Sequence, residues 1–101
     1  MKCISYHLFF RNFSNPERMR ILLALKEKPL SVGELSEKLN VEQSVISHAL
    51  SSLKHCSIVQ CEQKGKKKIY SLNKETTVPL LNLVDKHTTC FCKNVHEGEV
   101  K

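Results

Sequence analysis

Residues 31–72 read SVGELSEKLNVEQSVISHALSSLKHCSIVQCEQKGKKKIYSL, from Ser31 to Leu72, and this stretch decides the fold. It opens on Ser31-Val32-Gly33-Glu34, a capping box in which the Ser and Glu side chains satisfy each other's orphan backbone donors. The helix that starts there carries Leu35 and Leu39 and stops at Asn40, a residue that tolerates the left-handed conformation, so about two turns fit. From Val41 the chain leads into Val45, Ile46, Ala49, Leu50 and Leu53, spaced as one face of an amphipathic helix that ends at about His55. Two helices joined by a turn of roughly three or four residues make a helix-turn-helix. Next, Ser57 to Gln63 and Lys67 to Leu72 lean toward β, and Lys64-Gly65-Lys66 between them is a hairpin turn with a basic tip.

Toward the N-terminus, Asn15-Pro16-Glu17 combines an N-cap, a Pro suited to the first helical position and an acid at the positive helix end. The helix it opens carries Met19, Ile21, Leu22, Leu23 and Leu25, and Pro29 stops it. Ile4 to Phe13 predicts a further short helix, and Leu8, Phe9, Phe10 and Phe13 make it too apolar for a monomer's surface. Toward the C-terminus, Thr77 is expected to cap a last helix that places Leu80, Leu83, Val84, His87 and Phe91 on one face. Residues 1–92 form a single domain on this reading, and the polar residues 93–101 a mobile tail.

A length of 101 residues suits one domain, and 41% hydrophobic with 26% charged residues is ordinary globular composition. So short a chain buries only roughly 60–65% of its unfolded surface, which calls for a partner subunit or a ligand. The longest apolar stretch not broken by a charge, Cys3 to Phe10, falls far short of the ~20 residues that span a bilayer, and it runs into Arg11 and Asn12 without a small-residue cleavage site, so a secretory leader is not expected. The expectation is a cytoplasmic protein with no membrane partner. Five Cys in such a setting point to thiol chemistry or metal ligation rather than to closed disulfides. Of the net charge of +6, a net +5 lies between Lys54 and Lys74, a basic stripe of the kind that meets phosphates.

The whole is a mostly α fold with a small antiparallel β-hairpin (α+β), a winged helix-turn-helix. The second helix of such a motif enters the major groove, so its outer face must offer hydrogen-bonding side chains. Gln43, Ser44, Ser47 and His48 form that face, and Gln pairs bidentately with adenine while Ser reaches bases or phosphates. The wing residues Lys64, Lys66, Lys67 and Lys68 then meet backbone phosphates, adding affinity that salt weakens. No nucleophile, base and orienting acid can be placed together, so an enzyme is not expected.

The recognition helix "Q-S-x-I-S-H-x-L" and the wing "G-K-K-K-x-Y-S-L" together resemble the ArsR/SmtB family of winged-helix metal- or metalloid-responsive repressors, and nearly the whole chain is covered. The resemblance implies a homodimer joined through its first and last helices, bound to double-stranded operator DNA and released by an inducer, with Tyr70 of the wing motif among the DNA-contacting residues. Glu42 departs from the family's usual Ser or Thr cap on the recognition helix. So do the ligand sites. The Cys-x-Cys of many arsenic and cadmium sensors is absent from Glu34 to Leu39. The last-helix site of zinc and nickel sensors is matched by His87 and Cys90 but falls on Lys74 and Thr76 at its other half. Sensors with a Cys at the end of the recognition helix match Cys56, but Ser52 stands for the partner thiol.

On a continuous helix Cys90 lies near the His87 face and Cys92 on the opposite side with Asp85. Fraying at about Thr89 would instead make Cys90-Phe91-Cys92 an extended thiolate pair able to close on Cys56 of either subunit. Three thiolates at Cys56, Cys90 and Cys92 suit As(III), Cd(II) or Pb(II) as regulatory ligand, with Zn(II) also a candidate and no constitutive cofactor expected. Competing readings are packing for His87, burial as small hydrophobes for Cys56 and Cys61, a redox or persulfide switch for the thiols, and a protein-interaction module for the domain.

Overall fold

The computed structural model describes residues 5–92; Cys3, Ile4 and the tail 93–101 lie outside the described residues. In chain order the elements are α1 (Tyr6–Ser14), α2 (Pro16–Glu27), β1 (Leu30–Ser31), α3 (Val32–Leu39), α4 (Gln43–His55), β2 (Val59–Lys64), β3 (Lys67–Leu72) and α5 (Thr77–Cys90). The strands form one antiparallel sheet in the order β1-β3-β2. This is the winged helix-turn-helix expected from the sequence.

Local chemistry explains most of the boundaries. Ser5 caps α1 by accepting the Leu8 N–H at 3.2 Å, and Asn15 caps α2 by accepting the Arg18 N–H at 3.0 Å. At α3 the capping box is complete: Ser31 Oγ accepts the Glu34 N–H at 3.2 Å, and Glu34 Oε1 accepts the Ser31 N–H at 2.8 Å. Asn40 closes α3 in the left-handed region at φ 58°. Arg20 reaches across from α2 to donate to the Leu39 carbonyl at 2.8 Å, a cation placed at a helix C-terminus.

The core is drawn from every part of the motif. Ile21, Leu22 and Leu25 of α2, Leu35 of α3, Ile46, Leu50 and Leu53 of α4, Ile58 and Val59 before and in β2, and Leu72 of β3 are buried together. Each such side chain contributes roughly 1.5–3 kcal/mol on leaving water, so these contacts, more than helix propensity, hold α3 and α4 at a fixed angle. Asn12 is the buried polar residue of α1; it accepts from Arg18 at 2.7 Å and donates to the Phe9 carbonyl at 3.3 Å, tying α1 to α2.

Four expectations need correction. Strand β2 starts at Val59 rather than Ser57, because Ser57 takes φ 59° and turns the chain out of α4. The turn of the wing is shorter than Lys64-Gly65-Lys66: Lys64 pairs with Lys67, leaving Gly65-Lys66 as a two-residue connection in which only Gly65 has positive φ. Thr76, not Thr77, is the N-cap of α5, and its side chain makes no capping bond. Thr77 is instead buried, and its hydroxyl donates to the Ile58 carbonyl at 2.8 Å. Finally, Val45 is not part of the inward face of α4; it is 42% exposed while Ile46, Ala49, Leu50 and Leu53 are buried. Helix α5 likewise packs through Thr77, Val78 and Leu81 and leaves Leu83, Val84 and Phe91 exposed. Among the described residues no helix is long and apolar enough to cross a membrane.

Candidate nucleic-acid interface and thiol positions

Helix α4 presents Ser44, Ser47 and His48 outward, on the side opposite its buried stripe. Gln43, the first residue of α4, is also exposed but turns back toward α3: its Nε2 lies 3.9 Å from the position a Cβ would take on Gly33. Of the four residues read as the recognition face, three therefore point away from the body of the protein and Gln43 sits at its flank. Helix α4 also begins without side-chain help, since Glu42 at the N-cap makes no capping hydrogen bond.

The wing follows from its register. Lys64 faces Lys67 and Gln63 faces Lys68 across the strands, which gathers the positive charge at the tip and along the first part of β3. Gln63 Nε2 donates to the Gly65 carbonyl at 2.9 Å and steadies the turn. Lys64, Lys66, Lys67 and Lys68 are all exposed. Because β1 pairs with β3 through Ser31 and Ile69, the start of α3 is held beside the root of the wing. The result is a cleft of about 550 Å³ whose walls include Gly33, Glu34, Glu37, Gln43, Lys67 and Lys68. Three elements, α3, α4 and β3, thus meet on one side of the molecule.

Charge in this cleft is mixed. The Ser31 N–H holds the Glu34 carboxyl below the usual carboxylate range against a smaller opposing effect of desolvation, with further help from the Ser31 hydroxyl and the Lys67 and Lys28 ammonium groups. Glu34 is therefore a carboxylate at neutral pH. Tyr70 stands deeper, half-buried against the core and paired across the strands with Cys61. Burial first, and then the Cys61 thiol, push its phenol pKa upward, so the hydroxyl stays protonated and able to donate.

The thiols are spread over the fold. Cys61 on β2, Cys90 at the end of α5 and Cys92 beyond it are free; Cys90 is exposed and the other two half-buried. Cys56 follows α4, packs partly against the core, and is disulfide-bonded. The end of α5 does not fray at Thr89: the helix runs to Cys90, and the N–H groups of Phe91 and Cys92 both donate to the His87 carbonyl, at 2.8 and 2.9 Å. His87 stacks on Phe91 with ring centroids 5.9 Å apart. Among the described residues no three His, Cys, Asp or Glu side chains gather as a metal site, so Cys56, Cys90 and Cys92 are not brought together within one subunit.

Reasoning from the sequence found the outward residues of α4 and the wing lysines, but it missed the acidic wall of the cleft. Glu34 was legible only as a cap. Its place beside Lys67 depends on the two-residue strand β1, which has no sequence signal of its own.

Comparison with known proteins agrees with this architecture. The family of bacterial regulatory proteins described as the arsR family matches residues 15–60, which span α2 to the first part of β2. The transcriptional repressor SdpR of Bacillus subtilis is 38% identical over 69 residues, covering 68% of this chain and 74% of that protein. The arsenical resistance operon repressor of Staphylococcus xylosus is 32% identical over 92 residues, covering 85% of this chain and 86% of that one. The crystal structure of Rv0081 from Mycobacterium tuberculosis superposes with a TM-score of 0.73 at 33% identity, covering 80% and 82% of the two chains. Sequence and fold concur, and the chain belongs to the ArsR family of bacterial transcriptional regulators.

Proposed function

We propose that the chain is a homodimeric transcriptional repressor that binds double-stranded operator DNA through α4 and the β2–β3 wing and lets go when its cysteines are engaged. The observation that carries the DNA-binding half is the meeting of the start of α4, through Gln43, with Lys67 and Lys68 of the wing around the cleft beside α3, while Ser44, Ser47 and His48 of α4 stay exposed. Base edges would be met by Ser44, Ser47 and His48, with Gln43 at the flank, while Lys64, Lys66, Lys67 and Lys68 take phosphates and Tyr70 contributes its hydroxyl. Repression is favoured by the two curated relatives named above, both repressors.

For the signal, the proposal is a soft ion, As(III), Cd(II) or Pb(II), bound in the reduced protein by thiolates of Cys90 and Cys92 with Cys56, whose disulfide must first be opened by a thiol reductant. The exposed thiol at Cys90 and the nearby one at Cys92 support it, as does the preference of such ions for sulfur. The ligand set has to be completed between subunits, because one protomer does not assemble it. A second reading is favoured by a specific observation: Cys56 is disulfide-bonded in the structure, which is what a thiol redox switch requires.

Fluorescence anisotropy on DNA from the chain's own upstream region separates these readings. The reduced protein is expected to bind, and near-stoichiometric arsenite or cadmium, but not zinc, to release it; Cys90→Ser with Cys92→Ser should bind DNA and ignore both ions. Release by a mild oxidant, reversed by dithiothreitol and indifferent to metals, would put the redox switch in its place. No binding to any duplex would overturn the DNA-binding reading itself.

A further inference from the structure

Two of the four wing lysines face acidic side chains. Lys67 and Lys68 share the walls of the α3–β3 cleft with two carboxylates, Glu34 and Glu37, one turn apart on α3. Glu34 cannot swing away, because its Oε1 is held by the Ser31 N–H at 2.8 Å as half of the capping box. Ser31 in turn is fixed by its pairing with Ile69, two residues from Lys67 on β3. The Glu34 carboxylate is thus fixed beside the strand that carries Lys67. No ion pair joins Glu34 or Glu37 to Lys67 or Lys68 among the described residues, so the charges act across open space instead of cancelling in contact. The nearby Lys67 ammonium is among the smaller influences that hold the Glu34 carboxyl below the usual range, after its hydrogen bond from the Ser31 N–H.

A phosphate brought to Lys67 enters the field of both carboxylates. By contrast, Lys64, which pairs with Lys67 beside the turn, and Lys66 within the turn are not part of the cleft wall. We infer that Glu34 and Glu37 are counter-charges that weaken phosphate binding at Lys67 and Lys68, so that Lys64 and Lys66, outside the cleft, supply most of the sequence-independent affinity and retention on non-operator DNA stays low. This rests on the DNA-binding reading above. Like charges a few ångströms to one nanometre apart near water repel by about the thermal energy, and salt screens the effect over ~10 Å at 0.1 M.

The test uses the full-length reduced protein and a fluorescent duplex of arbitrary sequence at low salt. Glu34→Gln keeps the capping box, since Gln serves at that position, and circular dichroism checks that the fold is kept. Glu34→Gln and Glu37→Gln are each expected to tighten binding by about two- to threefold, with the gain fading by roughly 0.5 M salt. Glu75→Gln, which changes the net charge equally from outside the cleft, controls for overall charge. A double-mutant cycle adds the specific readout: Lys67→Gln should cost more affinity in the Glu34→Gln background than in the wild type. Variants that tighten no more than Glu75→Gln, or a cycle with no coupling, overturn the inference while wild-type binding leaves the DNA reading standing. A wild-type protein that binds no duplex overturns both.

Discussion

Thr77 joins α5 to the rest of the domain through one hydrogen bond. Its hydroxyl donates to the Ile58 carbonyl at 2.8 Å in a buried site, and the same carbonyl accepts the Asn73 N–H at 3.1 Å. Thr77→Val keeps the shape and removes the donor, but leaves the carbonyl with its second partner. The expected loss is therefore the net worth of one hydrogen bond, about 1 kcal/mol, rather than the larger penalty of an orphaned buried acceptor. Urea denaturation at a fixed protein concentration measures it, with Thr77→Ser expected to retain most of the stability; a Thr77→Val protein as stable as wild type would show the bond to be dispensable. The sequence reading assigned Thr77 as the cap because Thr is a capping residue type, and nothing local distinguishes Thr76 from Thr77. The deciding partner, Ile58, lies in a different part of the chain. Residues whose role is set by a local pattern, such as Ser31 with Glu34 or Asn40 at a helix end, were legible; residues whose role is set by a distant partner were not.

At the scale of elements, α4 is the helix on which the proposed function depends, and its start, like that of α5, has no side-chain cap. Glu42 occupies the N-cap with extended backbone yet makes no side-chain capping bond, whereas α1, α2 and α3 are all capped by Ser or Asn side chains. A Glu side chain is one methylene too long for the N-cap geometry that Asp satisfies. Glu42→Asp keeps the charge and supplies the acceptor, so it should stabilise the domain by about 0.5–1 kcal/mol. For a domain of this size that corresponds to a rise in Tm of roughly 2–8 °C, read by thermal denaturation. Because the charge is conserved, a change in DNA affinity would report on the geometry of the first turn, where Ser44 lies. An unchanged Tm would mean that the first turn is already satisfied by other means. The weakness itself was readable from the sequence, since Glu is a poor N-cap. Strand β1 was not readable: two residues carry no alternation, and Leu30-Ser31 becomes a strand only because Tyr70 and Ile69 are there to pair with it.

For the whole molecule, the unresolved demand is apolar surface. A single protomer measures 46 × 31 × 20 Å, and Phe10 of α1 with Leu83, Val84 and Phe91 near the end of α5 stay exposed, Leu83 at 64% and Phe91 at 66%. Periodicity in the sequence found this face of α5, but it could not say which of the helix's two apolar faces meets the core; packing of Thr77, Val78 and Leu81 against the core settles that, and Leu83, Val84 and Phe91 stay exposed among the described residues. On the proposed homodimer this face meets a second copy, and a stable interface of the usual size buries about 1,200–2,000 Å² in total. Leu83→Glu places a charge at its centre without touching the protomer's own core, so the variant should remain helical by circular dichroism while sedimentation equilibrium shows a monomer. An operator with two half-sites is then bound by independent monomers, and the avidity of joined recognition helices, on the order of 10²-fold or more, is lost. A Leu83→Glu protein that sediments like the wild type would place the subunit interface elsewhere. One that becomes monomeric yet holds the operator as tightly as before would separate association from DNA binding, and would leave the wing and α4 of a single protomer to account for all of the affinity.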